Sequence, residues 1–518
     1  MEGASDMGKA MSNVLDWLEA SQRRTPDKTA FADPDSTLSY TELMDAARRV
    51  GSFIAARCEA RLPIALFIDK STSAVAALFG VVYAGCCYSF IDLRQPQARV
   101  EKILDQLQPK LVFVDSQSAE LAREVFPASV ELINLALALD AELDESLLSK
   151  RRAEATSTDP MYINFTSGST GMPKGVVVGQ ASVMDFIPVF TDTLGIASND
   201  SFANQAPFDF DVSIKDICSG IYLGATVHLI PRQYFSVPAQ LLDYLCERQP
   251  TVLIWAVSAM CFVSIMGGFD YKIPKSVRLV GFSGEVMPVK QLAIWRSVLP
   301  NTTFVNLYGP TEITCNCTYH VIDRDYASDE IIPMGKAFAN EHVFLVGDDG
   351  TEVTAPWTVG ELYVGGPCLA LGYYRDPERT SKAFMQNPLH RDYLDMVYKT
   401  GDLAQFNEDG DLVFLSRADH QIKHMGQRIE LGEIEAAANA VEGVSRACCI
   451  YDDKKKRIRM FYTGEVAKQE LSEALHRALP PYMTPNNVQR LTEMPLSKNG
   501  KIDRALLSSG DIAHLKIK

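Results

Sequence analysis

The chain has 518 residues, of which 47% are apolar and 22% charged. That is a globular composition, long enough for more than one domain, and unlike a disordered or fibrous chain. With 50 Lys/Arg against 65 Asp/Glu the formal charge is −15, which argues against a broad nucleic-acid-binding face.

The first residues carry acids and lack an apolar stretch, so no secretory signal is expected. Residues 14–21 read as the start of an amphipathic helix, 64–68 and 111–114 as buried strands, and 73–84 as a helix. The apolar run 74–91 approaches membrane length, but Gly80, Gly85 and Ser89 interrupt it and it has no partner span. A buried helix running into a core strand is expected there, with no membrane span. Strand-like runs at 252–255, 277–280 and 303–307 continue the alternation, which predicts α/β sheets with ligands at strand ends. The segments HVFLV, LYVGG and DLVFL, separated by Gly/Asp turns, predict a β-rich subdomain around Glu361.

Near Arg417 the pattern changes again, to a short strand, a helix over 431–441, a strand over 447–451 and a helix over 469–479. Charge changes at the same place. Residues 417–518 hold 17 Lys/Arg and 13 Asp/Glu, net +4, whereas 1–416 hold 33 and 52, net −19. The expected architecture is therefore an α/β core over 1–416, built from two sheet-helix halves plus the β-rich subdomain, and a small α+β module over 417–518. The 11 cysteines lie in apolar settings without CxxC or paired-histidine spacing. This fits a reducing cytoplasm better than a disulfide framework or a structural zinc.

Residues 165–176 read FTSGSTGMPKGV and follow the apolar run MYIN. Glycines let the backbone approach an anion and turn N–H groups toward it, hydroxyls donate to phosphate oxygens, and Lys174 adds a point charge. The spacing is neither GxxxxGK[ST] nor GxGxxG. TSGSTGMPKG resembles the signature loop of the adenylate-forming superfamily, which includes amino-acid adenylation domains, acyl-CoA synthetases and luciferases. LSYTEL, YAGCCYSFIDLRQP, NLYGPTEIT, GELYVGG with LGYY, YKTGDL, SRADHQIKHMGQRIELGEIE and LSKNGKIDR resemble that family's other motifs, in order and across nearly the whole chain. Within the superfamily, APFDFDVSIKD and FSGEVMP are most similar to D-alanine–carrier protein ligases. Ser283, Lys215 and Gln180 depart from the pattern usual there.

The resemblance implies site residues and roles. Thr166, Ser167, Gly168, Ser169, Thr170 and Lys174 would cradle the β- and γ-phosphates of ATP. Gly284, Glu285 and Tyr308 would flank the nucleotide, with the Tyr308 ring against adenine. Thr311 would contact the α-phosphate, and Glu312 would bind Mg²⁺. Asp402 would hold the ribose hydroxyls, with Arg417 on ribose or phosphate. Lys501 would bridge the substrate carboxylate and the α-phosphate as the catalytic lysine. After adenylation, the C-terminal module would rotate about Asp419 and bring Gly426 to an incoming thiol arm.

For the acyl pocket the resemblance implies Asp211, Val212, Lys215, Ser258, Gly281, Ser283, Leu307, Cys315 and Asn316. Asp211 would pair with a substrate α-ammonium, with Asp209 as its rival. Lys215 is the unusual member. It meets a substrate carboxylate, pairs with Glu285 or Asp216, or points to solvent. No phosphopantetheine attachment site is visible in the chain. The implied activity is formation of aminoacyl-AMP from an amino acid and ATP, then transfer to a phosphopantetheinylated carrier protein in trans. The alternative is an acyl- or aryl-CoA synthetase with CoA as acceptor.

Overall fold

A computed structural model describes residues 13–168, 171–328, 330–418, 421–453, 455–496, 502–510, 512 and 515. Ser169, Thr170, Asp419 and Lys501 therefore lie outside the described residues.

The large N-terminal part is built on two mainly parallel sheets. In one, Pro63–Phe67, Cys87–Phe90, Leu111–Val114, Leu132–Asn134 and Pro160–Thr166 run parallel, and Lys174–Gly179 returns antiparallel to Pro160–Thr166. In the other, Thr29–Ala32, Ser201–Asn204, Thr226–Leu229, Val252–Ala256, Leu279–Ser283 and Thr303–Tyr308 run parallel, with antiparallel edge strands. One apolar cluster joins both sheets and the helices between them. Helix Tyr40–Ala55 starts on a capping box, Ser39 with Glu42, that satisfies orphan N–H groups of its first turn. Helix Thr72–Tyr83 is buried along its whole length and is capped by Ser71. It leads into the buried strand Cys87–Phe90, as the run 74–91 suggested. Among the described residues no helix is long and apolar enough to cross a membrane.

The strand expected at 277–280 starts two residues later. Val277 is tied to Pro274 in a turn, and pairing with the neighbouring strand begins only at Leu279. An antiparallel sheet of His342–Val346, Gly360–Gly365, Phe384–Gln386, Met396–Phe406 and Leu412–Arg417 forms the β-rich subdomain.

The smaller C-terminal part has the hairpin Gln421–His424 with Gln427–Glu430, and helix Leu431–Asn439 follows it. A three-stranded sheet of Val444–Asp452, Arg457–Gly464 and Asn487–Arg490 is packed by helix Lys468–Ala478. Its buried apolar residues, among them Ile434, Met460, Leu471 and Leu475, form clusters of their own. Among the described residues, none of these clusters includes a residue of the large part.

Candidate active site at the junction of the two parts

The glycine-rich loop joins two antiparallel strands, Pro160–Thr166 and Lys174–Gly179, and so projects from a rigid hairpin. Gly168 is required for its path, because a Cβ there would lie 2.1 Å from the Met172 carbonyl oxygen. Lys174 is 6% exposed and its Nζ is 3.1 Å from Glu312 Oε1. Glu312 is fully buried and also accepts from the Tyr373 hydroxyl at 2.8 Å and from Arg428 Nη1 at 2.6 Å. Burial alone would raise its carboxyl pKa, but the Arg428 and Lys174 charges outweigh this and hold it well below the usual carboxylate range. Burial beside Arg428 pushes the Lys174 ammonium down.

Thr166, Ser167, Asp211, Thr311, Asp402 and Arg417 line one cavity. The Tyr308 hydroxyl donates to Asp402 Oδ2, and Arg417 Nη1 donates to Asp402 Oδ1 at 2.7 Å. The carboxylate expected at the ribose is thus oriented from both sides. The Thr166 hydroxyl is buried without a hydrogen-bond partner among the described residues, a donor left for a ligand.

Asp211 and its rival Asp209 face different surroundings. Asp211 lies near Thr311 and Lys215, and burial raises its carboxyl pKa against the opposing influence of both. Asp209 lies near Asp92, Arg94 and Arg99, and burial beside Asp92 raises it to about 7. Behind Asp211, the Lys215 ammonium is fully buried and donates to Asn316 Oδ1 at 2.6 Å. Neither the solvent nor the Glu285 alternative is realised for Lys215. Glu285 accepts from the Gly426 N–H at 2.5 Å instead.

The pocket wall is shaped by Thr314 and Cys315, both in left-handed backbone with φ 54° and 88°. That strained pair turns the chain so that Cys315 and Asn316 come beside Lys215. Gly281, Ser283 and Leu307 sit on adjacent parallel strands, and a Cβ on Gly281 would lie 3.0 Å from Ile254 Cδ1 and Leu307 Cδ1. Val212 lines the cavity beside Asp211. Ser258 lines an adjoining cavity that shares Val212 and Ser283 with the first. It joins Arg94 and Arg232 around this second cavity, and Asp209, Gly284 and Gly426 also line both.

The C-terminal hairpin fills the front of the site. Gly426, with φ 76°, is at its tip, where a Cβ would lie 3.3 Å from the Ser258 hydroxyl. The Ser167 hydroxyl donates to the Arg428 carbonyl at 2.6 Å and accepts from the Glu430 N–H at 3.2 Å. Glu433 Oε2 accepts from the Gly168 N–H at 3.2 Å, and its other oxygen is bound by Arg99 of helix Gln97–Leu107. Several of these residues escaped the motif reading. Arg428 and Glu433 lie inside a quoted motif, but their partners are more than 100 residues away in sequence. Arg99 has no motif at all. Lys423 is 5.1 Å above the Tyr308 ring, and Tyr373 was visible only as part of LGYY.

The donor set suits a magnesium–nucleotide complex in part. Glu312 alone can serve a cation that takes its remaining ligands from phosphate and water. Both of its oxygens are engaged here, Oε1 by Lys174 and Tyr373 and Oε2 by Arg428, so a cation would have to share or displace these partners.

The fold and this site define an ATP-dependent, AMP-forming ligase. Residues 18–374 match the AMP-binding enzyme family and residues 433–501 match the AMP-binding enzyme C-terminal domain, so the chain belongs to that family. It is 34% identical to an L-proline–[L-prolyl-carrier protein] ligase from Streptomyces coelicolor over 467 residues, covering 85% of this chain and 86% of that protein. It is 28% identical to tyrocidine synthase 1 from Brevibacillus parabrevis over 94% of this chain, but spans only 44% of that longer protein. The solved structure of IdnL1 superposes with a TM-score of 0.80 at 26% identity, covering 94% of this chain and all of IdnL1.

Proposed function

We propose that the chain activates an amino acid with ATP, forming aminoacyl-AMP and pyrophosphate, and then passes the acyl group to the phosphopantetheine thiol of a separate carrier protein in the cytoplasm. One observation carries this reading. Thr166 and Ser167 of the phosphate loop, Asp211, Thr311, Asp402 and Arg417 border one cleft with Gly426 and Arg428 of the C-terminal hairpin, and the Lys174–Glu312 pair and Tyr308 are joined to it through Arg428 and Asp402. The carrier-protein ligase relative supports the choice of acceptor.

In the first half-reaction, a substrate carboxylate oxygen attacks the α-phosphorus and the bond to pyrophosphate breaks. Asp211 holds the α-ammonium and so fixes the carboxylate at the other end of the substrate. Thr311, close to Asp211, contacts the α-phosphate in this reading. Asp402 holds the ribose, and Ser167, Gly168, Lys174 and the flanking Thr166, Ser169 and Thr170 receive the departing phosphates. Glu312 is the ligand offered to Mg²⁺, which neutralises phosphate charge when bound. Lys501 stabilises the charge that grows during the attack.

In the second half-reaction, a thiol attacks the acyl carbonyl and AMP leaves. We take residues 1–416 as a fixed body and 417–518 as a module that swings about Asp419. The pose described here resembles the second arrangement. Gly426 lines both the adenylate cleft and the second cavity, which gives a thiol arm a route to the carbonyl.

The test is amino-acid-dependent pyrophosphate exchange, followed by the mass shift of a phosphopantetheinylated carrier. Asp211→Ala should cost about 100-fold or more in exchange, because it removes a charge-assisted contact to the substrate. Exchange that is equally fast with des-amino acids, or acyl transfer to CoA with none to any carrier, would identify an acyl-CoA synthetase instead.

A further inference from the structure

Lys215 is an ammonium with no exposed surface, in the first turn of helix Ser213–Leu223. That position is costly twice over. The ammonium is out of water, and it faces the positive end of the helix dipole. Buried charges are normally paired, yet among the described residues Lys215 makes no ion pair. Its contacts are Asn316 Oδ1 at 2.6 Å and the Phe190 ring at 6.0 Å, with Cys315 nearby. The nearest acids do not serve it. Asp216 Oδ2 accepts from the Asn204 amide at 2.9 Å while its Oδ1 has no partner among the described residues, and Lys215 acts on Asp216 and Asp211 as a nearby charge without an ion-pair contact to either.

An ammonium can only donate, so its bond to Asn316 fixes that amide with its oxygen toward Lys215. The Asn316 NH₂ group remains a donor. Lysine and asparagine together therefore offer N–H donors beside Asp211, an arrangement that matches a carboxylate. Cys315, beside Lys215 and Asn316, lines the cavity, and at Gly281 Ile254 and Leu307 leave little room, since a Cβ there would lie 3.0 Å from each.

We infer that the amino acid activated here carries a carboxylate on a short side chain, of the aspartate or glutamate class, read by Lys215 and Asn316 while Asp211 holds the α-ammonium. This rests on the amino-acid activation proposed above. The substrate would present a cation to Asp211 and an anion to Lys215, completing both half-made pairs at once.

The test is pyrophosphate exchange by the full-length chain with both enantiomers of aspartate and glutamate, alongside asparagine, glutamine, leucine, alanine and proline. The expected result is that one acid exceeds its own amide by about 100-fold or more in kcat/KM, since the amide would leave the Lys215 charge unmet. Lys215→Met should erase that preference, and Lys215→Arg should keep the acid ahead of the amide. A neutral amino acid exchanging as fast as any acid overturns the proposal while leaving activation itself in place. So does an acid preference that survives Lys215→Met. Exchange with no amino acid at all overturns the underlying function, and this inference with it.

Discussion

Glu433 offers the sharpest test of domain alternation. Its carboxylate is bound by Arg99 and accepts from the Gly168 N–H, so it occupies the phosphate loop with an anion from the C-terminal part. The side chains of Arg99 and Glu433 are 5% and 4% exposed, so water screens the pair little. Removing one partner of such a pair costs about 3–5 kcal/mol, because the other charge is left buried and alone. The pair joins the two parts, so the loss falls on this arrangement of the parts and not on either core. About 3 kcal/mol corresponds to roughly a 100-fold fall in the population of this arrangement. Glu433→Ala should therefore slow thioester formation by about 100-fold and leave pyrophosphate exchange within about threefold of the unaltered chain. The assay is single-turnover. Aminoacyl-AMP is formed with pyrophosphatase present, a loaded carrier is added, and the thioester is quenched and counted. Arg99→Ala should reproduce the defect, and the double variant should lose less than the sum of the two. Equal losses in both half-reactions, or an unchanged transfer rate, would refute the reasoning.

The same contacts imply competition. Glu433 and Arg428 hold Gly168 and Glu312, so imidodiphosphate with Mg²⁺ should inhibit transfer from preformed aminoacyl-AMP, as quenched-flow thioester counts would record. Lys501→Ala should lose most exchange yet bind ATP nearly normally by calorimetry, and undiminished acyl-AMP formation would remove it from the chemistry. Asp419→Pro should spare acyl-AMP formation and slow thioester formation, measured in the same two assays. Asp216 gives a pH prediction. Burial pushes its carboxyl up to about 7, so between about pH 4 and 7 the folded state keeps a proton that the unfolded chain has released. Its contribution to stability therefore falls as pH rises through that window, by up to about 1.4 kcal/mol per unit. Asp216→Asn should flatten this part of the profile in urea titrations at pH 5 and 7.

The motifs were legible because each is a run of contiguous residues. The loop at 165–176 needs glycine where backbone crowds backbone, and that requirement is written locally at Gly168. Helix 73–84 and the strand after it were legible because burial on all sides demands an unbroken apolar run. What stayed hidden was pairing at a distance. Arg99 meets Glu433 across 334 residues, and nothing at either position announces the other. For Lys215 the sequence left three alternatives open, because a lysine's surroundings depend on helix placement and on the left-handed turn at Thr314 and Cys315. Asp209 and Asp211 are two residues apart, and only folding shows that one meets Thr311 while the other faces Arg94 and Arg99.

The small C-terminal part keeps its oily residues to itself, and it grips the body largely through salt links and hydrogen bonds. A joint of that kind would expose little apolar surface on opening, Tyr482 and Ala436 being among the described residues that lie against the body, and each freed charge would find water ready to receive it. The proposed swivelling would then be cheap, and brine should loosen the grip where it would tighten a hydrophobic one.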